Sequence, residues 1–424
     1  MTAPGSIVIV GAGQTGAVAA RTLRELGYAG ALTLVGDETH LPYERPPLSK
    51  EALGAGVDGS VGRMHPAEYY ADQKIELIAG TPARALDRQQ RQVVLSDGRR
   101  LPYDACLLAT GGRARRLPLL PDGLPNVHLL RTLDDAMALG AALAPGVRLA
   151  VIGGGFLGLE AAWTATQRGA RVTVIEGAPA LLGRALPPEL SGWLLRRACA
   201  LGLDVRLGLS VSGAVPGAAA TAGATLTLSD GGQVEADQIL VAIGLAPGTE
   251  LAASAGLPLC EATAGVLVDA DCRTADPRVW AAGDCASQRR EPNGRPVRME
   301  SWQNANTHGA IAAASMLEAP RPKSPYPWFW TDQLGCNIQI LGAPQPGLQY
   351  VMRGAARPDD DTPKLLCLGL RGGVPVHGVA INAGGDLRAL RALFEQSVVI
   401  DAAAFADPAA SVKLFVKSCL QRSA

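Results

Sequence analysis

Two short glycine patterns are the residues of this 424-residue chain whose spacing points most directly to chemistry. In a G-x-G-x-x-G pattern the first glycine permits a tight turn and the second lets the backbone approach a pyrophosphate. The third lets a helix pack closely on a strand, and the N–H groups at the start of that helix face the phosphates. The glycines are Gly11, Gly13 and Gly16 in the first pattern and Gly153, Gly155 and Gly158 in the second. The chain is therefore predicted to bind two dinucleotides.

An acidic residue follows the second strand of each unit, where the ribose of a bound nucleotide would lie. Asp37 and Glu38 follow that strand in the first unit, and Glu176 ends it in the second. A carboxylate there can hydrogen-bond the ribose hydroxyls and repels a 2′-phosphate, which prefers arginine. Glu176 thus favours NADH over NADPH at the second site, although the nearby cations Arg171 and Arg184 leave NADPH open.

Two further segments predict that the first site holds FAD and the second a nicotinamide dinucleotide. A Thr-Gly-Gly turn at Thr110 and Gly111 follows the apolar run 106–109, as at the exit from the first domain of two-dinucleotide flavoproteins. The segment 279–286 is typical of a strand and turn, and its Asp284 can bond the ribityl or pyrophosphate region of FAD. A strand-end aspartate without a ligand is the alternative for Asp284.

The secondary structure that positions these residues occurs twice along the chain. Apolar runs predict strands buried on both faces of a parallel sheet, and each glycine pattern leads into a helix. The predicted strand, helix and strand cover 7–10, 17–26 and 31–35 in the first unit, and 149–152, 159–168 and 172–175 in the second. Small antiparallel inserts are predicted over 80–103 and 205–238. A proline-rich linker beyond about 320 predicts a third domain, of α+β type.

Composition narrows the class of protein. With 48% hydrophobic and 18% charged residues, the chain has ample material for large cores, and disorder is not expected. Basic and acidic residues number 39 each, so no overall attraction to nucleic acid or an anionic membrane is expected. No leader or spanning segment is apparent, so we expect a cytoplasmic protein. The sequence leaves monomer and homodimer open. The eight cysteines form no CxxC pair, which disfavours a redox dithiol, and no metal site is predicted.

Taken together, these motifs resemble the NADH-dependent ferredoxin reductases of oxygenase systems, the family of the biphenyl-dioxygenase-type reductases and putidaredoxin reductase. The resemblance covers about residues 5–400. It is carried by VGDETHLPYERPPLSK (35–50), LATGG (108–112), VHLLRTLDDA (127–136), GGGFLGLE (153–160), WAAGDCA (280–286), ESWQNANTHG (300–309) and PWFWTDQ (327–333). It implies a glutathione-reductase-like α/β fold with a C-terminal α+β domain. The implied division assigns 1–112 and 243–320 to FAD, 113–242 to NADH and 321–424 to the C-terminal domain.

The resemblance also implies a set of cofactor contacts. The FAD contacts are Thr15, Asp37, Arg45, Lys50, Ala83, Arg131, Asp284 and Trp302. Thr110, Gly111 and Gly244 are predicted to lie in cofactor-binding turns, and Glu160, Glu176 and Arg184 at the nicotinamide site. Ala83 would act through its backbone. For Arg45 and Arg131, ordinary surface charge is the alternative.

Lys50 and Glu160 are the residues predicted to act at the flavin. The resemblance implies that Lys50 lies beside the reactive edge of the isoalloxazine, where it stabilises the negative charge of the reduced flavin. Glu160 is expected in the first turn of the second unit's helix, where the helix dipole favours a carboxylate by about 0.3–1 kcal/mol. A Lys50–Glu160 ion pair that positions the flavin edge and the nicotinamide is the functional interpretation. An acid at a helix N-terminus is the alternative for Glu160.

The expected electron acceptor is an acidic [2Fe–2S] ferredoxin that feeds a Rieske-type aromatic-ring dioxygenase, or alternatively a cytochrome P450. The basic residues Arg289, Arg290, Arg295 and Arg298 are a candidate docking patch, with a solvated loop as the alternative. Trp328 and Trp330 lie either on the route to the acceptor or in the core of the third domain. Other flavoproteins are less favoured. An NADH oxidase would need a cysteine before Cys106, and an apoptosis-inducing-factor-like interaction protein would be expected to carry basic targeting segments.

Overall fold

The structure, a computed structural model, describes residues 4–54, 56–121, 123–217, 223–289, 295–355, 357–360 and 362–423. Its helices are, in chain order, α1 (Gln14–Glu25), α2 (Ala67–Asp72), α3 (Leu133–Ala142), α4 (Phe156–Gln167), α5 (Pro188–Ala200), α6 (Glu250–Ser254), α7 (Trp302–Met316), α8 (Gly384–Glu395), α9 (Ala402–Ala406) and α10 (Val412–Ser423). Short 3-10 turns lie at Pro46–Ser49, Glu51–Leu53 and Gly283–Cys285.

The strands alternate with these helices in the first two thirds of the chain and predominate in the last third. They are β1 (Ser6–Val10), β2 (Ala31–Val35), β3 (Ile75–Ile78), β4 (Ala83–Asp87), β5 (Gln92–Leu95), β6 (Arg100–Pro102), β7 (Ala105–Leu108), β8 (Gly112–Ala114), β9 (Val127–His128), β10 (Arg148–Ile152), β11 (Arg171–Glu176), β12 (Asp204–Leu207), β13 (Val211–Pro216), β14 (Ala224–Leu228), β15 (Gln233–Ala236), β16 (Gln238–Val241), β17 (Leu245–Pro247), β18 (Val266–Val268), β19 (Val279–Ala281), β20 (Ala286–Arg289), β21 (Pro296–Val297), β22 (Trp328–Gln333), β23 (Cys336–Gly342), β24 (Gln349–Ala355), β25 (Lys364–Arg371) and β26 (Val374–Ile381).

The first glycine pattern lies at the end of a parallel sheet with strand order β19-β7-β1-β2-β3. The apolar run of β1 is buried, as expected for a strand covered on both faces. Helix α7 packs so closely on α1 that a Cβ added at Gly309 would lie 2.7 Å from the carbonyl oxygen of Thr15. Because β19 and α7 follow the second unit in sequence, this unit is built from two stretches of chain, one before the second unit and one after it.

The second glycine pattern ends β10 of another parallel sheet, with strand order β12-β11-β10-β16-β9. The predicted insert over 205–238 began one strand too early, because β12 pairs in parallel with β11 and only β13, β14 and β15 form the antiparallel insert. The insert predicted over 80–103 is confirmed as β4-β5-β6. The chain passes from the first unit to the second through β8 and returns through β17, and these two strands pair antiparallel.

Both glycine-loop helices begin three residues earlier than predicted, at Gln14 and Phe156. The third glycine of each pattern therefore lies inside the helix, and Glu160 is the fifth residue of α4. The expectation of Glu160 in the first helical turn was wrong, so the helix dipole does not explain this carboxylate.

The last third of the chain is an antiparallel sheet, β22-β23-β26-β25-β24, covered by helices, which confirms the predicted α+β domain. Leu387, Leu390 and Phe394 recur at helical spacing on α8, and that face is buried with β26 and α10. On the other side, Arg197 of α5 donates to the carbonyl oxygen of Leu334 at 2.9 Å and so ties this domain to the second unit. The four-part domain division stays a prediction. Among the helices of the described residues, none has the length and apolar character that crossing a bilayer requires.

Candidate functional site

The first glycine turn has the geometry that dinucleotide binding requires. Gly11 has φ +114°, and a Cβ there would lie 2.1 Å from the carbonyl oxygen of Ala109. A Cβ on Gly16 would lie 1.9 Å from the carbonyl oxygen of Gly11, so the helix packs against the turn without room for any side chain. Gly13 differs, because the nearest atom to an added Cβ is Nη2 of Arg45 at 3.9 Å. The turn is thus closed at its first and third glycines and open at the second.

Two arginines converge on this turn. Nη2 of Arg45 lies over Gly13, and Nη2 of Arg131 lies 3.2 Å from the position of a Cβ on Gly111. The Arg45 guanidinium also donates to the carbonyl oxygen of Arg131. Burial, and then the neighbouring charge of Arg45, lowers the pKa of Arg131. The two cations are therefore close enough to repel each other, and an anion between them would relieve that repulsion.

Arg45 is held in place by Glu38, which is itself bound by Tyr43. Arg45 Nη2 lies 2.8 Å from Glu38 Oε1, and the Tyr43 hydroxyl donates to Glu38 Oε2 at 2.6 Å. Burial alone would lower the pKa of Arg45, but Tyr43 and Glu38 outweigh it and hold that pKa above its ordinary value. Asp37, the acid predicted to bind the ribose, is exposed beside this cluster. The structure therefore engages Glu38 within the protein and leaves Asp37 at the surface.

The remaining predicted FAD residues surround the same cleft. Arg131 Nη2 donates to Asp284 Oδ2 at 3.2 Å. Thr15 is buried beneath Gly283, where an added Cβ would lie 2.3 Å from the threonine Oγ1. Ala83 is half-buried at the start of β4, and Trp302 begins α7 with its indole N–H donating to Glu44 Oε1 at 3.1 Å.

The second glycine turn repeats the geometry of the first. Gly153 has φ +110°, and a Cβ on Gly158 would lie 2.0 Å from the Gly153 carbonyl oxygen. No atom lies within 4 Å of a Cβ added at Gly155. The carboxylate of Glu176 reaches into the turn and accepts from the N–H of Gly154 at 2.6 Å and from that of Ala178 at 2.7 Å.

Other residues predicted for the nicotinamide side lie around this turn. Arg184 is exposed in the segment between β11 and α5. Gly244 has φ +107° just before β17, and its carbonyl oxygen accepts from the N–H of Arg115. The Thr110 hydroxyl donates to the carbonyl oxygen of Gly248, which fixes the crossing between the two units.

Lys50 and Glu160 meet at a junction of three parts of the chain. Lys50 Nζ lies 3.7 Å from Glu160 Oε1, so the predicted ion pair is present, but it lies only 2.7 Å from Asp332 Oδ2. Glu160 accepts hydrogen bonds from the hydroxyls of Ser49 and Thr331, each at 2.5 Å, and from the N–H of Asp332 at 3.0 Å. We call these five residues the Lys50 junction.

Sequence reasoning missed three members of the Lys50 junction, Ser49, Thr331 and Asp332. All three lie in the RPPLSK and FWTDQ segments, which carry the family resemblance. A signal was available in the second motif, because alternate residues of a strand point to opposite faces. Thr331 faces α4, whereas Asp332 lies on the opposite face, where it contacts Lys50 and Asn337.

The aromatic residues of β22 stand beside the junction. The rings of Trp328 and Trp330 are stacked with centroids 5.1 Å apart, and Trp330 meets Trp302 edge-on at 5.6 Å. All three are half-buried, so core packing alone does not describe Trp328 and Trp330.

The predicted basic patch is only partly surface charge. Arg289 and Arg295 are exposed. The Arg298 side chain is 13% exposed, and its guanidinium is bound to Glu300 and to the carbonyl oxygens of Thr263 and Asp284. The Arg298 guanidinium is therefore engaged within the protein, and Arg290 lies outside the described residues.

The residues present fit two dinucleotides. At the first turn, an open Gly13, a helix start without a side-chain cap and two converging arginines suit the pyrophosphate of FAD. At the second, an open Gly155 and an uncapped α4 suit another pyrophosphate, and the carboxylate of Glu176 lies beside the turn. The eight cysteines form no disulfide bond, and the described residues contain no group of three or more His, Cys, Asp or Glu side chains able to hold a metal.

Comparison with known proteins places the chain among well-defined relatives. A family model described as pyridine nucleotide-disulphide oxidoreductase matches residues 5–309, and one described as reductase C-terminal matches residues 328–416. The 3-phenylpropionate/cinnamic acid dioxygenase ferredoxin--NAD(+) reductase component of Photorhabdus laumondii subsp. laumondii is 39% identical over 388 residues. The match covers 92% of this chain and 95% of that protein.

Two solved structures are similar over nearly the whole chain. One is the crystal structure of the covalent putidaredoxin reductase–putidaredoxin complex, with 32% identity and a TM-score of 0.90 over 98% of this chain and 99% of that chain. The other is the ferredoxin reductase for the CYP199A2 system from Rhodopseudomonas palustris, with 33% identity and a TM-score of 0.89 over 98% and 100%.

Proposed function

The chain belongs to the pyridine nucleotide-disulphide oxidoreductase family, and from that membership we propose that it is an FAD enzyme that oxidises NADH and reduces a [2Fe–2S] ferredoxin. The observation that carries the proposal is the Lys50 junction, where a lysine and two carboxylates meet without a cysteine among them. A disulphide reductase needs a reactive dithiol facing its flavin. The junction therefore suits a reaction that transfers hydride and electrons without a cysteine thiol.

The chain's own residues would bind and orient the cofactors. Arg45 and Arg131 would hold the FAD pyrophosphate over Gly13, and Glu176 would hold the ribose of NADH. When bound, FAD supplies the chemistry that accepts two electrons as hydride and releases them one at a time. Lys50 places a positive charge in the same cleft, where it would stabilise negative charge on the reduced cofactor. We also propose the division 1–112 with 243–320, 113–242 and 321–424 as the domains that carry these roles.

The proposed acceptor is a ferredoxin of an aromatic-ring dioxygenase. The support is the 39% identity to the reductase component of a 3-phenylpropionate/cinnamic acid dioxygenase. The 33% identity to the reductase for the CYP199A2 system supports a cytochrome P450 ferredoxin as the second candidate. Anaerobic assays of NADH-driven reduction with a dioxygenase-type and a P450-type ferredoxin would separate them. Faster reduction of the P450-type ferredoxin would overturn the first candidate, and reduction of neither would overturn the ferredoxin proposal.

A lysine variant tests the role of the junction in hydride transfer. We expect Lys50→Ala to slow flavin reduction by NADH by about 10²-fold in anaerobic stopped flow, the usual effect of removing one preorganised electrostatic group. Lys364→Ala is the matched control, because it removes the lysine of another Lys–Asp pair, in which Lys364 Nζ lies 3.5 Å from Asp386 Oδ2. A Lys50→Ala variant that is reduced as fast as Lys364→Ala would contradict the role of Lys50.

Docking is proposed to use the exposed arginines beside the FAD cleft. Reversing Arg289 and Arg295 to Glu should lower the rate of ferredoxin reduction at low salt and flatten its salt dependence, because long-range attraction to an acidic partner would be lost. Flavin reduction by NADH should be unchanged. If the salt dependence of ferredoxin reduction stays as in the wild type, the two arginines take no part in docking.

A further inference from the structure

Lys50 is shared unequally between two carboxylates. Its ammonium lies 2.7 Å from Asp332 Oδ2 and 3.7 Å from Glu160 Oε1. The first distance is that of a charge-assisted hydrogen bond, whereas the second is an ion pair without one. The residue that fixes the position of the ammonium is therefore in the third domain, 282 residues away in sequence from Lys50.

Glu160 is satisfied without the lysine. Both of its oxygens accept from hydroxyls, Oε2 from Ser49 and Oε1 from Thr331, and Oε1 also accepts from the N–H of Asp332. Glu160 is 9% exposed, so these donors replace most of the water that an exposed carboxylate would bind. Attraction to Glu160 alone would therefore not fix the position of the Lys50 ammonium, because no hydrogen bond joins them.

Asp332 is itself held in one orientation. Its other oxygen, Oδ1, accepts from Nδ2 of Asn337 at 2.8 Å, and Asn337 is its direct partner across the β22–β23 pair. Asn337 in turn accepts from Gln339, whose amide oxygen accepts from the indole N–H of Trp328. Each carboxylate oxygen of Asp332 therefore has its own donor, one on the sheet and one on Lys50.

We infer that Asp332 is a positioning residue for Lys50, through which the third domain fixes where the lysine's charge faces the cofactor cleft. This inference rests on the proposed function, since it assigns Lys50 a role in that reaction. Burial alone would raise the pKa of Asp332, but the hydrogen bonds from Lys50 and Asn337 hold that pKa below its ordinary value. Asp332 is thus ionised at neutral pH. Because its side chain is 44% exposed, its ion pair contributes little to stability, and its removal should leave the fold intact.

The test compares Asp332→Asn, Asp332→Glu and Asn337→Ala with the control Asp386→Asn, which removes a carboxylate from another Lys–Asp pair of the same domain. We expect Asp332→Asn to slow flavin reduction by NADH about tenfold, since small misplacements of a catalytic group cost that much or more. We also expect a positive shift in the flavin midpoint potential, because one negative charge is lost. Asp332→Glu should restore the potential but not the rate, since its longer arm moves the ammonium.

Asn337→Ala keeps the charge and loses only the orientation of Asp332, so its potential should be unchanged and its rate lowered a few-fold. Crystal structures of wild type and Asp332→Asn should show Lys50 Nζ moved towards Glu160, to less than 3.7 Å. Equal rates in Asp332→Asn and Asp386→Asn, or a full wild-type rate in Asp332→Glu, would overturn the inference. A wild-type enzyme that NADH does not reduce would instead overturn the proposed function, and the lysine position in the two crystal structures would still test the inference.

Discussion

The glycine turn at 11–16 and the one at 153–158 impose the same constraints on their backbones but differ at one position beside them. The first glycines have φ +114° and +110°, and the third glycines leave 1.9 and 2.0 Å for an added Cβ. In the paired strands, Val10 stands opposite Val35 as Ile152 stands opposite Ile175. The next residue along the second strand is a glycine in the first unit and a glutamate in the second.

The difference at that position is accompanied by others around the two turns. A Cβ on Gly36 would lie 2.8 Å from the Cβ of Ala12, so the first turn has no room for a carboxylate there. In the second turn Gly154 stands in place of Ala12, and Glu176 fills the space and accepts from the glycine N–H. The first unit places its acids one and two residues later and adds two arginines. We therefore expect the turn to define a pyrophosphate site and the residues beside it to determine which nucleotide binds.

The largest effect is expected at the third glycine, which has the same close backbone contact in both turns. Gly158→Ala should lower the free energy of unfolding by about 3 kcal/mol, because its Cβ meets a backbone oxygen that cannot move aside cheaply. Gly155→Ala is the matched control, since no atom lies within 4 Å of its Cβ. It should unfold like the wild type and bind NADH more weakly, because the methyl group occupies the open side of the turn. Denaturant unfolding followed by circular dichroism, with NADH titration, checks both. Equal stability of the two variants would show that the third glycine is not sterically required.

The next effect is expected at Arg131, one of the two arginines that lie beside the first turn. Arg131→Gln should weaken FAD binding by about 10- to 100-fold, the usual effect of losing a hydrogen bond to a charged group, and should leave NADH binding unchanged. Arg148→Gln, which breaks an arginine–aspartate pair on β10 of the second unit, is the control and should leave FAD binding unchanged. Titration of the apoprotein with FAD, followed by quenching of flavin fluorescence, gives both affinities. Similar FAD affinities in the two variants would mean that Arg131 holds only Asp284.

Features encoded within a short stretch of sequence were predicted well, and contacts between distant stretches were not. The strand–turn–helix units, the α+β domain and the family are confirmed, because glycine spacing and apolar runs depend only on neighbours along the chain. Asp332 could not be paired with Lys50 from sequence, because the pairing depends on how β22 packs against α4 and the 46–49 turn. The pairing of Arg298 with Glu300 could not be foreseen for the same reason, since a run of arginines does not show which of them the fold buries.

A smaller effect is expected at the position that separates the two turns. Glu176→Ala combined with Gly177→Arg should turn a preference for NADH into one for NADPH, with NADH binding weakened by about tenfold. Gly177 is suited to the change, because nothing lies within 4 Å of an added Cβ. Gly177→Arg alone is the control and should retain the preference for NADH. Dissociation constants for the two nucleotides are the measurement, and an unchanged ratio in the double variant would rule out Glu176 as the discriminating acid.

The smallest effect is expected at Asp37, the exposed acid of the first unit. Asp37→Ala should weaken FAD binding only about threefold, as the loss of one solvent-exposed hydrogen bond would. Glu38→Gln, which removes the charge paired with Arg45, should weaken it more, because the arginine would no longer be held over Gly13. FAD titration of the two apoproteins ranks them. If Asp37→Ala is the weaker binder, the ribose contact implied by the family resemblance dominates. If Glu38→Gln binds FAD more weakly, the important acid of the first unit acts by holding Arg45. Glu176 of the second unit differs, because it hydrogen-bonds its own glycine turn directly.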